Sequence, residues 1–309
     1  MSPTSTAAPH RLRVEDLVVV PQKRYGLWLS TGFTLLLLGG LFWAIAHNPA
    51  FGWPIVAKYL FHPSIIRGLG HTLLLTVMIM FFAIVIGMII AIMRLSPSRV
   101  LQAFANGYIW FFRGAPALIQ LIFWFNLAIV VREVTLTLPY FGTIFSVRTN
   151  DFMTPFLSAV IALSLHEAGY MAEIIRAGIT SVPEGQTEAA STLGMSRAKI
   201  LRRIVLPQAM RFVVPPTGNE AINLMKATSL VTVIAVDDLL YSAQTIYART
   251  FETIPLLIVV AFWYLAMVTI MSIGQHFLEQ YFNRSDSRAT PGFATAFRSA
   301  FRLGRGDGA

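Results

Sequence analysis

The sequence predicts an all-α polytopic membrane protein with six transmembrane helices. Three observations carry that expectation. The 309 residues are 55% hydrophobic and only 13% charged, with a mean hydropathy of +0.64, which is too apolar for an ordinary water-soluble domain. Several apolar runs reach the roughly 20 helical residues that cross a ~30 Å hydrocarbon core. Lysine and arginine are divided unevenly among the segments between those runs, as the positive-inside rule requires of a threaded chain. No alternating ten-residue pattern recurs, which argues against a membrane β-barrel. The net charge of +9 tempts one toward nucleic acid, but its distribution fits membrane orientation instead. The absence of cysteine excludes disulfides and thiolate metal sites. The first apolar run begins too late and runs too long for a cleavable signal peptide.

In chain order, residues 1–24 read as a polar cytoplasmic tail. The first span covers about Tyr25–Ala46, with Trp28 and Trp43 near its ends, where interfacial aromatics sit. An outer loop over 47–68 holds Trp53, Pro54 and Pro63 and has room for an interfacial helix. The second span is about Gly70–Met93, followed by Arg94 and Arg99 in a short inner turn. The third segment, Val100–Val131, contains the break Arg113-Gly114-Ala115-Pro116. Proline cannot continue a helix there, so Leu101–Phe112 is expected along the inner face or oblique to it, and Ala117–Val131 to complete the crossing. An outer loop follows at 132–151, then the fourth span at about Thr154–Ile175 and a polar, basic loop at Arg176–Arg211. The fifth span is about Phe212–Val236. Asp237 and Asp238 open an outer loop, and the sixth span is about Pro255–Phe277. Residues 284–309, rich in Ser, Arg, Gly and Ala, read as a disordered cytoplasmic tail or a weak contact for anionic lipid. No internal repeat is visible.

The basic residues fix the orientation. On one side lie four in the N-terminal tail, two in the Arg94/Arg99 turn, six in the 176–211 loop and five in the C-terminal tail. The other side holds five: Lys58, Arg67, Arg132, Arg148 and Arg249. Positive-inside therefore places both termini and the 176–211 loop in the cytoplasm.

That loop has internal structure. Thr187 to Thr192 favours a helix or a helix start. Gly194 supplies a left-handed residue to end it. Ser196 is suited to cap a second helix, Arg197–Val205, which Pro207 limits. Two short helices at an angle, projecting into the cytoplasm, make a docking knob for a soluble partner. An ordinary basic inner loop, shaped by positive-inside alone, is the plainer alternative.

The segment from Gly185-Gln186-Thr187-Glu188-Ala189-Ala190 through Gly194 to Leu206-Pro207 resembles the EAA coupling loop of ATP-binding-cassette importer permeases. Arg176-Ala177-Gly178-Ile179, Val182-Pro183 and Asn219 to Leu230 resemble the polar amino-acid branch, which handles histidine, glutamate, glutamine, arginine and opines. The resemblance spans about 65–283. It implies a five-helix permease core at 65–283, preceded by an extra transmembrane helix and outer loop at 25–64, with the coupling loop at about 176–211. It also implies that Gly185, Glu188, Ala189, Ala190, Gly194, Leu206 and Pro207 serve ATPase coupling. The implied partners are an ATPase dimer carrying ATP-Mg, a second permease chain (identical or paralogous), an extracytoplasmic amino-acid-binding protein, the amino acid and membrane lipid. The implied location is a bacterial inner membrane. Two departures stand out: Arg113-Gly114-Ala115-Pro116 replaces Arg-Gly-Thr-Pro, and Asp237-Asp238-Leu239-Leu240 stands where Glu-Leu is commoner.

Charges inside spans are costly and face a cavity or a partner. Glu167, with Tyr170 one turn on, fits a translocation path in which Glu167 meets a substrate ammonium; a protonated or helix-bonded Glu167 is the structural alternative. Asn219, Asn223 and Lys226, spaced four and three apart, share a helix face. That face suits a water-filled pathway or a subunit interface, with Lys226 meeting a substrate carboxylate or pairing with Glu220 or Glu167. Arg113 and Glu173 are expected at similar cytoplasmic depth, where they pair as part of an inner gate or simply join two helices. Gln120 fits either the pathway or a helix–helix hydrogen bond. There is no Gly-x-x-x-x-Gly-Lys-Ser/Thr motif, so ATP hydrolysis would belong to a separate chain and this chain is not expected to be an enzyme. His166-Glu167 is followed by Tyr170 rather than the second histidine of a zinc motif, and no metal or cofactor is expected in this chain. The rival functions are an ion-driven secondary transporter and a non-transporting membrane scaffold.

Overall fold

The computed structural model describes residues 25–138 and 142–283; the tails expected at 1–24 and 284–309 lie outside the described residues. The chain separates into one unit ending at Phe51 and a second beginning at Gly52. Within the first unit, α1 (Tyr25–His47) is apolar all round and exposed along nearly its whole length, as a helix surrounded by lipid would be. His47 stacks on Trp43 near its end. A single 3-10 turn, Pro49–Phe51, follows.

The second unit begins with α2 (Trp53–Tyr59). Its neighbour Leu60 accepts a 2.8 Å hydrogen bond from Trp263 Nε1 on the last helix. That contact places the unit boundary before residue 52 rather than at the expected 64/65. Helix α3 (Pro63–Leu95) starts seven residues before the expected Gly70, with Pro63 as its first residue, a position where the missing N–H costs nothing. Helices α4 (Arg99–Gly114) and α5 (Ala117–Phe125) meet at the anticipated break with a bend of 99°. A short α6 (Leu127–Val130) closes the segment.

The expected outer loop at 132–151 is an antiparallel hairpin, β1 (Glu133–Leu138) with β2 (Gly142–Arg148), followed by α7 (Thr149–Phe152). The β-branched run Val134, Thr135, Thr137 in β1 and Thr143, Ile144, Val147 in β2 suits strands. Helix α8 (Pro155–Thr180) lies at the centre of the fold and packs against α3, α4, α5 and α11. Many of its buried residues are small, Ala159, Ala162, Ala168, Gly169 and Ala172 among them. Small residues let neighbouring helices approach closely in a membrane, where dispersion and hydrogen bonds hold helices together. At Gly87 of α3, an added Cβ would lie 2.7 Å from Met171 Cβ and 3.0 Å from Ala172 N of α8.

In the 176–211 loop, α9 runs Glu184–Thr192 and α10 Arg197–Ile200. A π-helical turn, Leu201–Val205, leads straight into α11 (Leu206–Ala227). The second helix of the loop therefore does not stop at Pro207. The π turn ends with Leu206 N–H bonded to Leu201 O, and Pro207, which has no N–H to place, falls in the first turn of α11. The fifth span is not one helix either. It passes at Thr228 into a 3-10 segment, Thr228–Ile234, and ends at Ala235 with φ 57°. The β-branched sequence Val231-Thr232-Val233-Ile234 disfavours continued α-helix. The expected loop after Asp237 begins with α12 (Leu239–Thr250), whose N-cap is Asp238 accepting from Tyr241 N at 2.8 Å. The last helix is α13 (Thr253–Asn283).

Among the described residues three of these helices, Trp28–His47, Pro63–Leu95 and Thr253–Phe282, are long and apolar enough to cross a membrane, and the bent α4–α5 pair makes a fourth if its two arms form one span. Helices α8, with 26 residues, and α11, with 22, exceed the spanning length but carry more polar residues. Counting them gives an architecture consistent with six crossings.

Two tests follow. Gly87→Ala should destabilise the chain by about 1–3 kcal/mol in detergent thermal unfolding. Gly107→Ala, which meets nothing within 4 Å, should not. Burial pushes the Asp238 carboxyl up from its ordinary 3.8 to about 6, with Asp237 adding to the rise and the Tyr241 N–H opposing it. The folded state therefore holds this proton more tightly than the unfolded one, so the group's contribution is most favourable below pH 4 and declines as pH rises toward 6. Asp238→Asn keeps a capping acceptor and should remove that decline from a Tm-against-pH series.

Candidate functional site

Glu167 lies on α8 at 6% exposure, with one carboxylate oxygen buried and without a hydrogen-bond partner. It lines a cavity of about 310 Å³ together with His166, Tyr170, Glu220, Asn223 and apolar residues of α5, α8 and α11. Of the expected pathway residues, Glu167, Tyr170 and Asn223 come together here. Asn219 and Lys226 do not line the cavity; with Asn223 they are exposed along α11. Lys226 forms no ion pair among the described residues. Glu220 turns toward the cavity instead and accepts from Asn223 Nδ2 at 3.2 Å. The cavity thus holds two carboxyl groups and no lysine or arginine.

Along α8 toward the 176–211 loop, Tyr170 and Glu173 follow Glu167 at three-residue steps, near one face of the helix. The Arg113 guanidinium lies 4.9 Å from the centroid of the Tyr170 ring. The expected Arg113–Glu173 pair exists at 3.8 Å, but it is the longest of three. Glu173 is bonded by Arg94 from α3 and, at 3.0 Å, by Arg176 one turn along α8. One carboxylate therefore gathers guanidinium groups from α3, α4 and α8. Arg176 was readable from its spacing three residues after Glu173. Arg94 was not, because only the packing of α3 on α8 brings its end to Glu173.

Gln120 is buried and spans the bend between α4 and α5. Its Nε2 donates to Phe112 O and Ala115 O, both at 2.9 Å, and lies 3.1 Å from His166 Nδ1. Those carbonyls belong to the end of α4, where helices leave acceptors unsatisfied. Gln120 is thus a clamp on the break, with His166 tying the clamp to α8. Neither His166 nor Glu220 carried a distinctive spacing in the sequence.

The 176–211 loop closes on a small core of Val182, Ala190, Ile200, Val205 and Ala209. Helix α9 starts at Glu184, so Glu184 occupies the first turn and Glu188 falls in the second, further from the helix N-terminus than expected. The end of α9 is a Schellman motif: Gly194, at φ 73°, donates to Ser191 O, and Met195 N donates to Ala190 O. Ser196 precedes α10 as expected, though its side chain makes no capping bond. Ala190 is buried, whereas Gly185, Glu188, Ala189, Gly194, Leu206 and Pro207 are exposed. The arrangement presents a bare face whose underside is fixed by Ala190.

In double-mutant cycles read by thermal stability, Arg94→Gln with Glu173→Gln should show a coupling of about 1–3 kcal/mol. Arg113→Gln with Glu173→Gln should give less than about 0.5 kcal/mol.

Residues 83–284 match the family described as binding-protein-dependent transport system inner membrane component. The chain is 40% identical over 285 residues to an arginine transport system permease protein of Corynebacterium glutamicum, covering 92% of this chain and 87% of that protein. It is 37% identical to an L-cystine transport system permease protein of Bacillus subtilis, covering 78% and 95%. Among solved structures, an amino acid ABC transporter with histidines superimposes with TM-score 0.62 at 31% identity, covering 74% of this chain and 98% of that one. The methionine transporter MetNI shares the fold, with TM-score 0.58 at 17% identity over 71% of this chain and 96% of that one. The chain therefore belongs to the inner-membrane components of binding-protein-dependent transport systems and is a multi-pass permease subunit rather than an enzyme.

Proposed function

We propose that this permease imports amino acids under the drive of ATP, and that its cargo is cationic. The observation that carries the proposal is the cavity beside α8. Glu167 offers a buried, unpartnered carboxylate oxygen, Glu220 a second carboxyl, Tyr170 an aromatic face and Asn223 an amide. A buried carboxylate needs a cation or a proton to offset its lost hydration. An α-ammonium accounts for one acid and a positively charged side chain for the other. The similarity to an arginine permease supports the same reading.

Transport would run as follows. An extracytoplasmic binding protein delivers the amino acid, and two permease chains enclose the path. The exposed polar face of Asn219, Asn223 and Lys226 on a membrane helix calls for cover by water or protein rather than lipid, which fits a second chain. Both termini and the 176–211 loop lie in the cytoplasm. The bare surface of Gly185, Glu188, Ala189 and Gly194, with Leu206 and Pro207 at its base, seats in a groove of the ATPase dimer that holds ATP-Mg. ATPase closure draws the paired loops together, and α11, continuous with the loop through the π turn, carries the movement to the cavity. Beneath the cavity, Arg113, Tyr170 and the arginines on Glu173 form an inner gate whose positive charge holds back a cationic cargo until the helices part.

The test is purification of the tagged chain from its own host in mild detergent, then reconstitution with whatever ATPase accompanies it. The wild type should bring a P-loop ATPase that Gly194→Asp loses while remaining folded. Glu167→Gln should lower ATP-driven arginine uptake about tenfold or more and leave the ATPase bound. Uptake driven by an ion gradient without any ATPase would overturn the proposal. An ATP-driven uptake of glutamate in preference to arginine would overturn only the cationic cargo.

A further inference from the structure

The β1–β2 hairpin is the part of the second unit that the transport machinery leaves unused. It joins α6 to α7, and its main contacts are between its own strands and with α7. Its base is pinned by one residue. Thr149, fully buried, donates from its backbone N–H to Arg132 O and from its hydroxyl to Val131 O. The hairpin therefore starts and ends at the boundary of the membrane helices.

The register sorts its side chains. Val134 stands opposite Val147 and Leu136 opposite Phe145, while Glu133 stands opposite Arg148 and Thr135 opposite Ser146. Successive residues of a strand point to opposite faces. Val134, Phe145 and Val147 therefore share one face, and Glu133, Thr135, Ser146 and Arg148 share the other. Val134 and Phe145 are exposed. An isolated two-stranded hairpin is marginal in water unless one face is covered, so this apolar face needs a cover.

Two observations identify it. Along the chain the hairpin follows directly on the exposed apolar residues Ile129, Val130 and Val131 at the end of α6. Apart from Ile144, which is exposed and which the register shift leaves unpaired, the polar face pairs Glu133 with Arg148 and otherwise carries the hydroxyls of Thr135 and Ser146, the balance expected of a surface turned to water and headgroups.

We propose that the hairpin lies along the bilayer surface, with Val134, Phe145 and Val147 in the acyl boundary and Glu133, Thr135, Ser146 and Arg148 toward water. It is a lipid-seated outrigger at the end of α8 that begins the cavity-lining helix. A soluble docking partner would instead be met by a hairpin standing in water, and nothing covers its apolar face in that position. The inference needs only that the chain spans a membrane, so it stands apart from the choice of cargo and of energy source.

The chain has no cysteine, so single spin labels can be placed without background. Phe145→Cys, Ser146→Cys, Val147→Cys and Arg148→Cys would be labelled in the full chain, in vesicles of phosphatidylethanolamine and phosphatidylglycerol. Val77→Cys, on an exposed stretch of α3, is the lipid standard. Collision with oxygen should be high at 145 and 147, near the value at 77, and several-fold lower at 146 and 148. Collision with a water-soluble nickel complex should show the opposite alternation. Nickel access at all four sites would overturn the proposal and favour a hairpin that awaits a soluble protein. Poor access of both reagents at 145 and 147 would overturn it too, placing the face against a protein chain. Each variant is read only where the labelled chain elutes as the unlabelled one does, and agreement of the two residues on each face guards against a local distortion at either.

Discussion

Everything in the second unit depends on how α8 is shielded. This helix carries Glu167 and Glu173 through a region where an unpaired charge costs roughly 2.5–3.5 kcal/mol or more. It can do so because α3, α4, α5 and α11 surround it. Its alanines and glycines let them come close enough to exclude lipid. The two acids then have opposite fates. Glu173 is paired with arginines from three helices. Glu167 keeps an oxygen unpaired beside a cavity, which makes it available to something that enters.

The same shielding explains the broken elements. The α4–α5 bend of 99° wraps two short helices around α8 where one straight helix could not. The cost is a set of free carbonyls at the end of α4, and Gln120 meets two of them. The 3-10 segment at Thr228–Ile234 and the left-handed Ala235 turn the chain so that α12 can return against α3 and α13. In the 176–211 loop, the π turn keeps the loop and α11 in one continuous piece. A break there would have left a flexible joint between the 176–211 loop and the cavity-lining helix.

Legibility in the sequence tracked how local the cause was. The helix break at Arg113–Pro116, the Gly194 turn and the apolar spans rest on proline geometry, a positive φ and hydrocarbon thickness, all properties of short segments. The site was only half legible. Glu167, Tyr170 and Glu173 declared themselves as polar residues in an apolar run. Glu220 and His166 did not, because each is one residue away from a more conspicuous neighbour. Asn219, Asn223 and Lys226 were correctly seen to share a face, yet that face is the exposed one, and spacing cannot say which side of a helix its neighbours cover.

The sequence by itself determined that this chain threads a membrane, where its apolar runs and its helical 176–211 loop lie and which family the chain resembles. Those follow from hydrophobicity, charge asymmetry and turn chemistry, each set by residues close together in the chain. Only the tertiary structure decided that Arg94 rather than Arg113 is the close partner of Glu173, that Glu220 joins Glu167 at a cavity, and that the segment after Arg132 is a hairpin. The first two depend on the depth and rotation at which separate helices meet, and the third on pairing between strands. Such contacts are fixed by packing across the fold, which no local pattern encodes.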